Sequence, residues 1–247
     1  MDFGDLVSNN EVFSEIYQSL KWGDGSYAKP LSGEGSVPEL AAPYVEFVQR
    51  VIDQFDVKSV LDCGHGDWSM WRDFSFEGID YLGFDVADGI SEKVSATFGS
   101  ENRKFLQADF CYQELPSTDL LITKDVLQHL STNDVETFLR NINNQKYLIF
   151  CNDFEGSASL FDSTRRVIQL RTRLQKLRHR ESPFYRVDRE TKPRNNRDIE
   201  AGECRGIDFR RRPFSNFLDL YELVECFEFS VAAYPPVTKR VFFFKKT

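Results

Sequence analysis

The sequence predicts an α/β domain with three layers. A mostly parallel, seven-stranded sheet lies between helices, closed by a C-terminal antiparallel hairpin and interrupted by an Arg-rich helical insertion after the fifth strand. Three observations predict it. Short apolar runs alternate with segments of helical periodicity up to residue 153, the pattern of strands buried on both faces and linked by crossover helices. The first run, Val60 to Cys63, leads into Gly64-His65-Gly66, a turn at the end of a strand. Two further apolar runs, Leu223–Ala232 and Lys239–Lys245, flank Tyr234-Pro-Pro and read as the hairpin.

In order along the chain, Val12–Leu20 has helical spacing. The segment from Trp22 to Ser36 that follows it is too rich in Gly and Ser to remain helical. Ser36 is placed to cap a second helix that has Pro38 near its start and runs to about Phe55, with Tyr44, Val45, Val48, Val51, Ile52 and Phe55 as its buried stripe. The strands begin at Ser59, Tyr81, Lys104, Asp119 and Lys146, and a helix after the fourth is signalled by Ser131 with Asp134 three residues later. Asp162 to about Arg180 reads as the Arg-rich helix, and Phe214–Tyr221 as a short closing one.

Composition limits the function classes. With 247 residues, 41% hydrophobic and 28% charged, the chain makes one domain with a full core. No apolar run spans a bilayer and the N-terminus has no secretory pattern, so the expectation is a soluble cytoplasmic protein without a membrane partner. Five scattered cysteines make neither a disulfide framework nor a zinc motif. The net charge of −8 is uneven: residues 164–212 hold 16 Lys or Arg against 7 Asp or Glu, a local +9 that leaves −17 for the remainder. Aromatic residues for base stacking are few there, Phe184 and Tyr185 with Phe209 near the end, so the basic stretch argues for a lid over a polar or anionic acceptor ahead of a nucleic-acid surface.

The chemistry concentrates at strand ends, where open α/β sheets bind ligands. Val60-Leu-Asp-Cys-Gly-His-Gly-Asp-Trp68 lacks the third glycine of a dinucleotide fingerprint, and the carboxylate of Asp67 would repel a pyrophosphate. Nineteen residues past Gly66 the next strand ends in Asp85, placed to accept hydrogen bonds from two ribose hydroxyls, and the third strand ends in Asp109-Phe110.

With Asp62, Gly64 and Gly66, the chain resembles the class I S-adenosylmethionine-dependent methyltransferases, whose Rossmann-like domain opens with an acid and Gly-x-Gly after the first strand. The resemblance implies that this turn lies along the methionine part of the cofactor, that Asp85 holds the ribose, and that Asp109 and Phe110 meet the adenine. It extends to Trp22-Gly23, Ser32-Gly-Glu-Gly-Ser36, Lys124–Leu130, Asn152-Asp153, Asn196–Ile199 and Arg205–Asp208, a pattern that resembles one subgroup of the family and does not itself identify a substrate. Trp22, Ser36 and Lys124 thereby join the cofactor-binding candidates.

Methyl transfer to a hydroxyl needs a base, because the sulfonium already activates its methyl group. Asp125 and His129 share a face if the chain after the fourth strand is helical, and Asp153 closes the fifth. Two arrangements are open: His129 or Asp125 as the base, or, as the resemblance to methyltransferases acting on catechols and sugars implies, a magnesium ion held by Asp125, Asp153 and Asn152 with His129 beside it.

The expectation is therefore one methyltransferase domain over 1–247. It comprises N-terminal helices and a cofactor-covering loop (1–56), a cofactor-binding core (57–153), a basic lid (154–213) and a closing helix and hairpin (214–247). O-methylation of a small polar acceptor such as a sugar is the leading activity. N-methylation of protein or RNA, and a cofactor-binding module without activity, are the alternatives.

Overall fold

The computed structural model describes residues 8–154, 195–231 and 237–247. The Arg-rich helix, Phe184, Tyr185 and the Tyr234-Pro-Pro turn lie outside the described residues.

Helix α1, Asn9–Gln18, starts at a capping box in which the Ser8 side chain accepts from the Glu11 amide and Glu11 accepts from the Ser8 amide. Phe13 and Ile16 anchor it to the core. Helix α2, Pro38–Phe55, has proline in its first turn as expected, but its cap is Val37, with no side-chain hydrogen bond. Ser36 instead ends a 3-10 turn, Glu34–Ser36, which leaves its hydroxyl for another use. The buried face of α2 is Tyr44, Phe47, Val48, Val51 and Ile52, with Val45 and Phe55 at its margin.

Strands β1 (Ser59–Cys63), β2 (Asp80–Asp85), β3 (Arg103–Gln107), β4 (Leu120–Lys124) and β5 (Tyr147–Asp153) are parallel. Strands β6 (Tyr221–Val231) and β7 (Val237–Lys246) close the sheet in the order β3-β2-β1-β4-β5-β7-β6, with β7 antiparallel to both neighbours. Every residue of β4 is buried, because apolar clusters cover both faces of the sheet. No described helix is long and apolar enough to cross a membrane.

Local chemistry departs from simple periodicity at three crossovers. No α-helix follows the glycine turn; the chain makes a 3-10 turn, Ser69–Trp71, after Trp68 at φ 61°. The two indoles turn inward, Trp68 donating to the Tyr81 hydroxyl at 3.0 Å and Trp71 to Asp62 at 3.1 Å, and both are buried in the apolar cluster that also holds the α2 face. After β4, Asp125 at φ 58° breaks the backbone and a 3-10 turn, Leu127–His129, replaces the expected helical turn. Near the end of the chain, Phe214–Tyr221 is helical only as a 3-10 turn over Phe214–Phe217, since Tyr221 already belongs to β6.

Helix α3 is Ile90–Phe98. Helix α4, Thr132–Asn141, starts at the predicted cap, the Ser131 hydroxyl accepting from the Asp134 amide at 3.1 Å.

Candidate active site

The C-terminal ends of β1, β2 and β4 surround a cavity of about 740 Å³ counted with the open solvent at its mouth. Gly64 and Gly66 form its floor at φ 86° and 58°, in the left-handed region that favours glycine. The turn folds back on β2: Gly64 donates to the Phe84 carbonyl at 2.7 Å, and Gly66 donates to the Asp85 carboxylate at 2.9 Å. The other oxygen of Asp85 accepts from the Ala87 amide at 3.0 Å. The acid is thus held rigidly at the cavity wall.

Asp109 and Phe110 line the same space after β3, Asp109 accepting from the Cys111 amide at 3.0 Å and from the Asn9 side chain at 3.2 Å.

The segment 22–36 does cover this floor, and its grip on the floor is specific. Ser32 Oγ accepts from the Asp67 amide at 2.7 Å and meets the Tyr17 hydroxyl at 3.1 Å. On the other side, Lys124 Nζ donates to the Gly35 carbonyl at 2.7 Å. A side chain at Gly35 would sit 2.4 Å from the Asp125 carboxylate, which makes glycine necessary there. Trp22, Ser32 and Ser36 all line the cavity, the Trp22 ring lying 5.1 Å from that of His129.

Lys124, Asp125 and His129 also line the cavity. His129 is half-buried; its Nδ1 lies 2.7 Å from the Glu203 carbonyl, an acceptor only, so Nδ1 carries the proton. Burial lowers the pKa of the ring and favours its neutral form, even with Asp153 and Asp125 nearby.

Asp62, Asn152 and Asp153 do not line the cavity. Asp62 is turned behind the floor, where Tyr81 donates to it at 2.7 Å and Trp71 at 3.1 Å; burial raises its pKa to about 7 despite those bonds. Its place in the glycine motif is therefore that of a strut. Asn152 is fully buried and accepts from the Gln128 amide at 3.2 Å.

The magnesium arrangement does not fit. Lys239 of β7 inserts its ammonium between the two carboxylates meant for the ion, 2.6 Å from Asp125 and in contact with Asp153. Asp125 also pairs with Lys124 at 2.6 Å. Burial opposes the charge on Asp125, but the two ammonium groups outweigh it and hold the carboxyl well below the usual range. That also counts against Asp125 as the base, since a carboxylate so stabilised is a poor proton acceptor. Among the described residues no group of three His, Cys, Asp or Glu side chains could hold a metal ion.

Sequence reasoning missed Lys239, because a lysine among the apolar residues of an edge hairpin reads as solvent-facing. It also missed Asn9, Phe13 and Tyr17, which line the cavity from α1, since helical periodicity marks a buried face without saying what that face meets.

The described part of the expected lid, 195–213, packs beside β5 as a wall. Ile207 donates to the Asp153 carbonyl at 2.9 Å, and Arg205 is buried with its guanidinium donating to the Leu130 carbonyl at 2.7 Å. Asp208, Arg210 and Arg240 form one ion-pair network, so these charges serve the fold.

No protein-family model matches the chain, and no curated protein matches its sequence. Solved structures do. A methyltransferase from Leishmania major superposes with a TM-score of 0.61 at 12% identity, over 98% of this chain and 87% of that one. Magnesium protoporphyrin IX methyltransferase from Synechocystis, with bound S-adenosylhomocysteine, gives 0.55 at 13% identity over 96% and 95%. Human N-acetylserotonin methyltransferase, in complex with S-adenosylmethionine, gives 0.54 at 18% identity, over 97% of this chain and 60% of that one. The chain has the class I, Rossmann-like methyltransferase fold.

Proposed function

We propose that the chain is an S-adenosylmethionine-dependent methyltransferase acting on a hydroxyl of a small polar acceptor, with carbohydrates the first class to test. The observation that carries this reading is a single cavity onto which the glycine turn, Asp85, Asp109 and His129 all open. Solved methyltransferases of the same fold contain the cofactor or its product, which supports the assignment.

The residues present suit that molecule. Asp85 has two carboxylate oxygens facing the cavity wall, each already oriented by one backbone amide and each with a further lone pair for a ribose hydroxyl. Asp109 would accept from the adenine amino group, Phe110 would lie against the ring, and the turn at Gly64 to Gly66 would run along the methionine part. Trp22 and Ser36 would close over it from the covering segment. Once bound, the sulfonium supplies an electrophilic methyl group.

His129 serves as the base. Its Nδ1 proton is held by a carbonyl, so Nε2 has the lone pair, and its lowered pKa keeps the ring unprotonated near neutral pH, as proton abstraction requires. Lys239 and Lys124 together balance the charges of Asp125 and Asp153, so this carboxylate pair is neutralised without a divalent ion.

The test is transfer from labelled cofactor to a panel of sugars, other small alcohols, peptides and RNA, together with calorimetry of cofactor binding. The expected result is label on a hydroxyl acceptor and a fall of roughly 10²-fold or more in His129→Ala, the usual size of general-base contributions. Label on amines of peptide or RNA would replace the O-methylation reading. Absence of cofactor binding would remove the enzyme reading altogether.

A further inference from the structure

The neighbour of His129 is unusually constrained. The Gln128 side chain is 3% exposed, and its Oε1 accepts from the Asp153 backbone amide at 2.6 Å. A backbone N–H can only donate, so the orientation of this side-chain amide is forced: Oε1 faces Asp153 and the NH₂ group faces the other way. What it faces is His129 Nε2, at 3.3 Å. On the far side of the ring, the Glu203 carbonyl at 2.7 Å can only accept and requires a proton on Nδ1.

Two backbone groups from different parts of the fold, the amide of β5 and the carbonyl of residue 203, therefore fix both ends of a hydrogen-bond chain. It runs from Glu203 O through Nδ1–H, the ring, Nε2 and Gln128 Nε2–H to Gln128 Oε1 and the Asp153 amide. Further backbone bonds hold this turn in place. Gln128 donates its amide to Asn152 at 3.2 Å and accepts at its carbonyl from Arg205 at 3.1 Å, and the His129 carbonyl accepts from Gly202 at 2.9 Å.

We propose that Gln128 is the positioning residue of the base: it selects the neutral, Nδ1-protonated form of His129 and penalises the imidazolium, whose Nε2–H would confront the Gln128 N–H donor to donor. The proposal rests on the reading of His129 as the base, and deepens it. At 3.3 Å the contact is longer than an ordinary N–H hydrogen bond, so an acceptor hydroxyl can take the Nε2 lone pair in place of Gln128. After transfer the same clash favours return of the proton to solvent.

The charged and titratable groups around the ring come from every element packed on it. They are Lys124 and Asp125 at the end of β4, Asp153 of β5, Lys239 of β7, Cys204 beside Asp153, and Tyr17 of α1 across Trp22. Asp125 and Asp153 favour imidazolium and Lys239 opposes it, and with Lys124 paired to Asp125 the four charges sum to zero. Gln128 is the side chain that touches Nε2 directly.

The experiment is nitrogen-detected NMR of ring tautomer and protonation against pH. It is run on the full chain without acceptor, for the wild type, Gln128→Glu and Gln128→Met, with the His129 signals identified by their loss in His129→Ala. The wild type should show Nδ1–H with an unprotonated Nε2 from neutral pH down to below the ordinary histidine range. Gln128→Glu keeps an oxygen for the Asp153 amide but presents a second one to Nε2, so imidazolium should persist at least one pH unit higher. The acid limb of the transfer rate should move with it, approaching an approximately tenfold fall at pH values below both titrations.

Gln128→Met, which cannot donate, should give an intermediate titration. Identical titrations in all three proteins, or an Nε2–H tautomer in the wild type, would overturn the proposal. If the titrations shift as expected while His129→Ala transfers methyl normally, the positioning chain stands and the assignment of the base falls.

Discussion

Replacing Gly66 by alanine tests how the covering segment is attached to the floor. Two costs are separable. The first is conformational: Gly66 has φ 58°, and an alanine in the left-handed region costs about 1–2 kcal/mol. The second is contact, because a Cβ at Gly66 would lie 2.2 Å from Ser32 Oγ and 3.0 Å from Ser32 Cβ. Ser32 must therefore swing away and lose its bonds to the Asp67 amide at 2.7 Å and to Tyr17 at 3.1 Å. Two such bonds are worth roughly 1–3 kcal/mol together.

Gly78 supplies the control, with φ 72° and nothing within 4 Å of an added Cβ. Urea denaturation should show Gly78→Ala losing about 1–2 kcal/mol and Gly66→Ala about 2–5 kcal/mol. By calorimetry, S-adenosylmethionine should bind Gly78→Ala as it binds the wild type. It should bind Gly66→Ala approximately tenfold or more weakly, since about 1.4 kcal/mol of the lost clamp corresponds to one decade. Equal stability losses with unchanged affinity in both variants would refute the view that Ser32 couples the segment to the floor.

Asp62→Asn should alter stability in a pH-dependent way. Burial raises the Asp62 pKa from the ordinary 3.8 to about 7, so folding favours its protonated form; that contribution is full below about pH 4 and is lost as pH rises through 7. The asparagine can keep the bonds from Tyr81 and Trp71, and should gain on the wild type by up to about 4 kcal/mol between pH 4 and 8. Parallel urea curves for the two proteins across that range would contradict the assignment. Transfer by the wild type should be equal with chelator and with added magnesium, whereas Lys239→Met should lose about 3 kcal/mol of stability by leaving Asp125 and Asp153 without their shared cation. Loss of transfer on chelation would restore the metal arrangement.

Much of the candidate site was legible because its residues sit where strands end. Asp85, Asp109 and Gly66 could be picked out from the spacing of apolar runs, and they line one cavity because consecutive parallel strands bring their C-terminal ends to the same edge. Asp62 was legible as part of the motif but not in its direction. Successive strand residues face opposite ways, and the neighbouring Trp71 and Tyr81, which turn its carboxylate into a strut, are recognisable only when packed.

By itself the sequence determined the strand and helix rhythm, the hairpin, the glycine turn and the acids beside it, since these depend on local periodicity and backbone freedom. Tertiary structure decided the rest: the indoles buried after β1, the α1 residues that wall the cavity, and the Lys239 ammonium that takes the position offered to a metal. Those outcomes depend on contacts between residues as far apart as Asp125 and Lys239, which no local pattern encodes. A carboxylate pair attracts whichever cation the fold delivers first, and here β7 delivers a lysine.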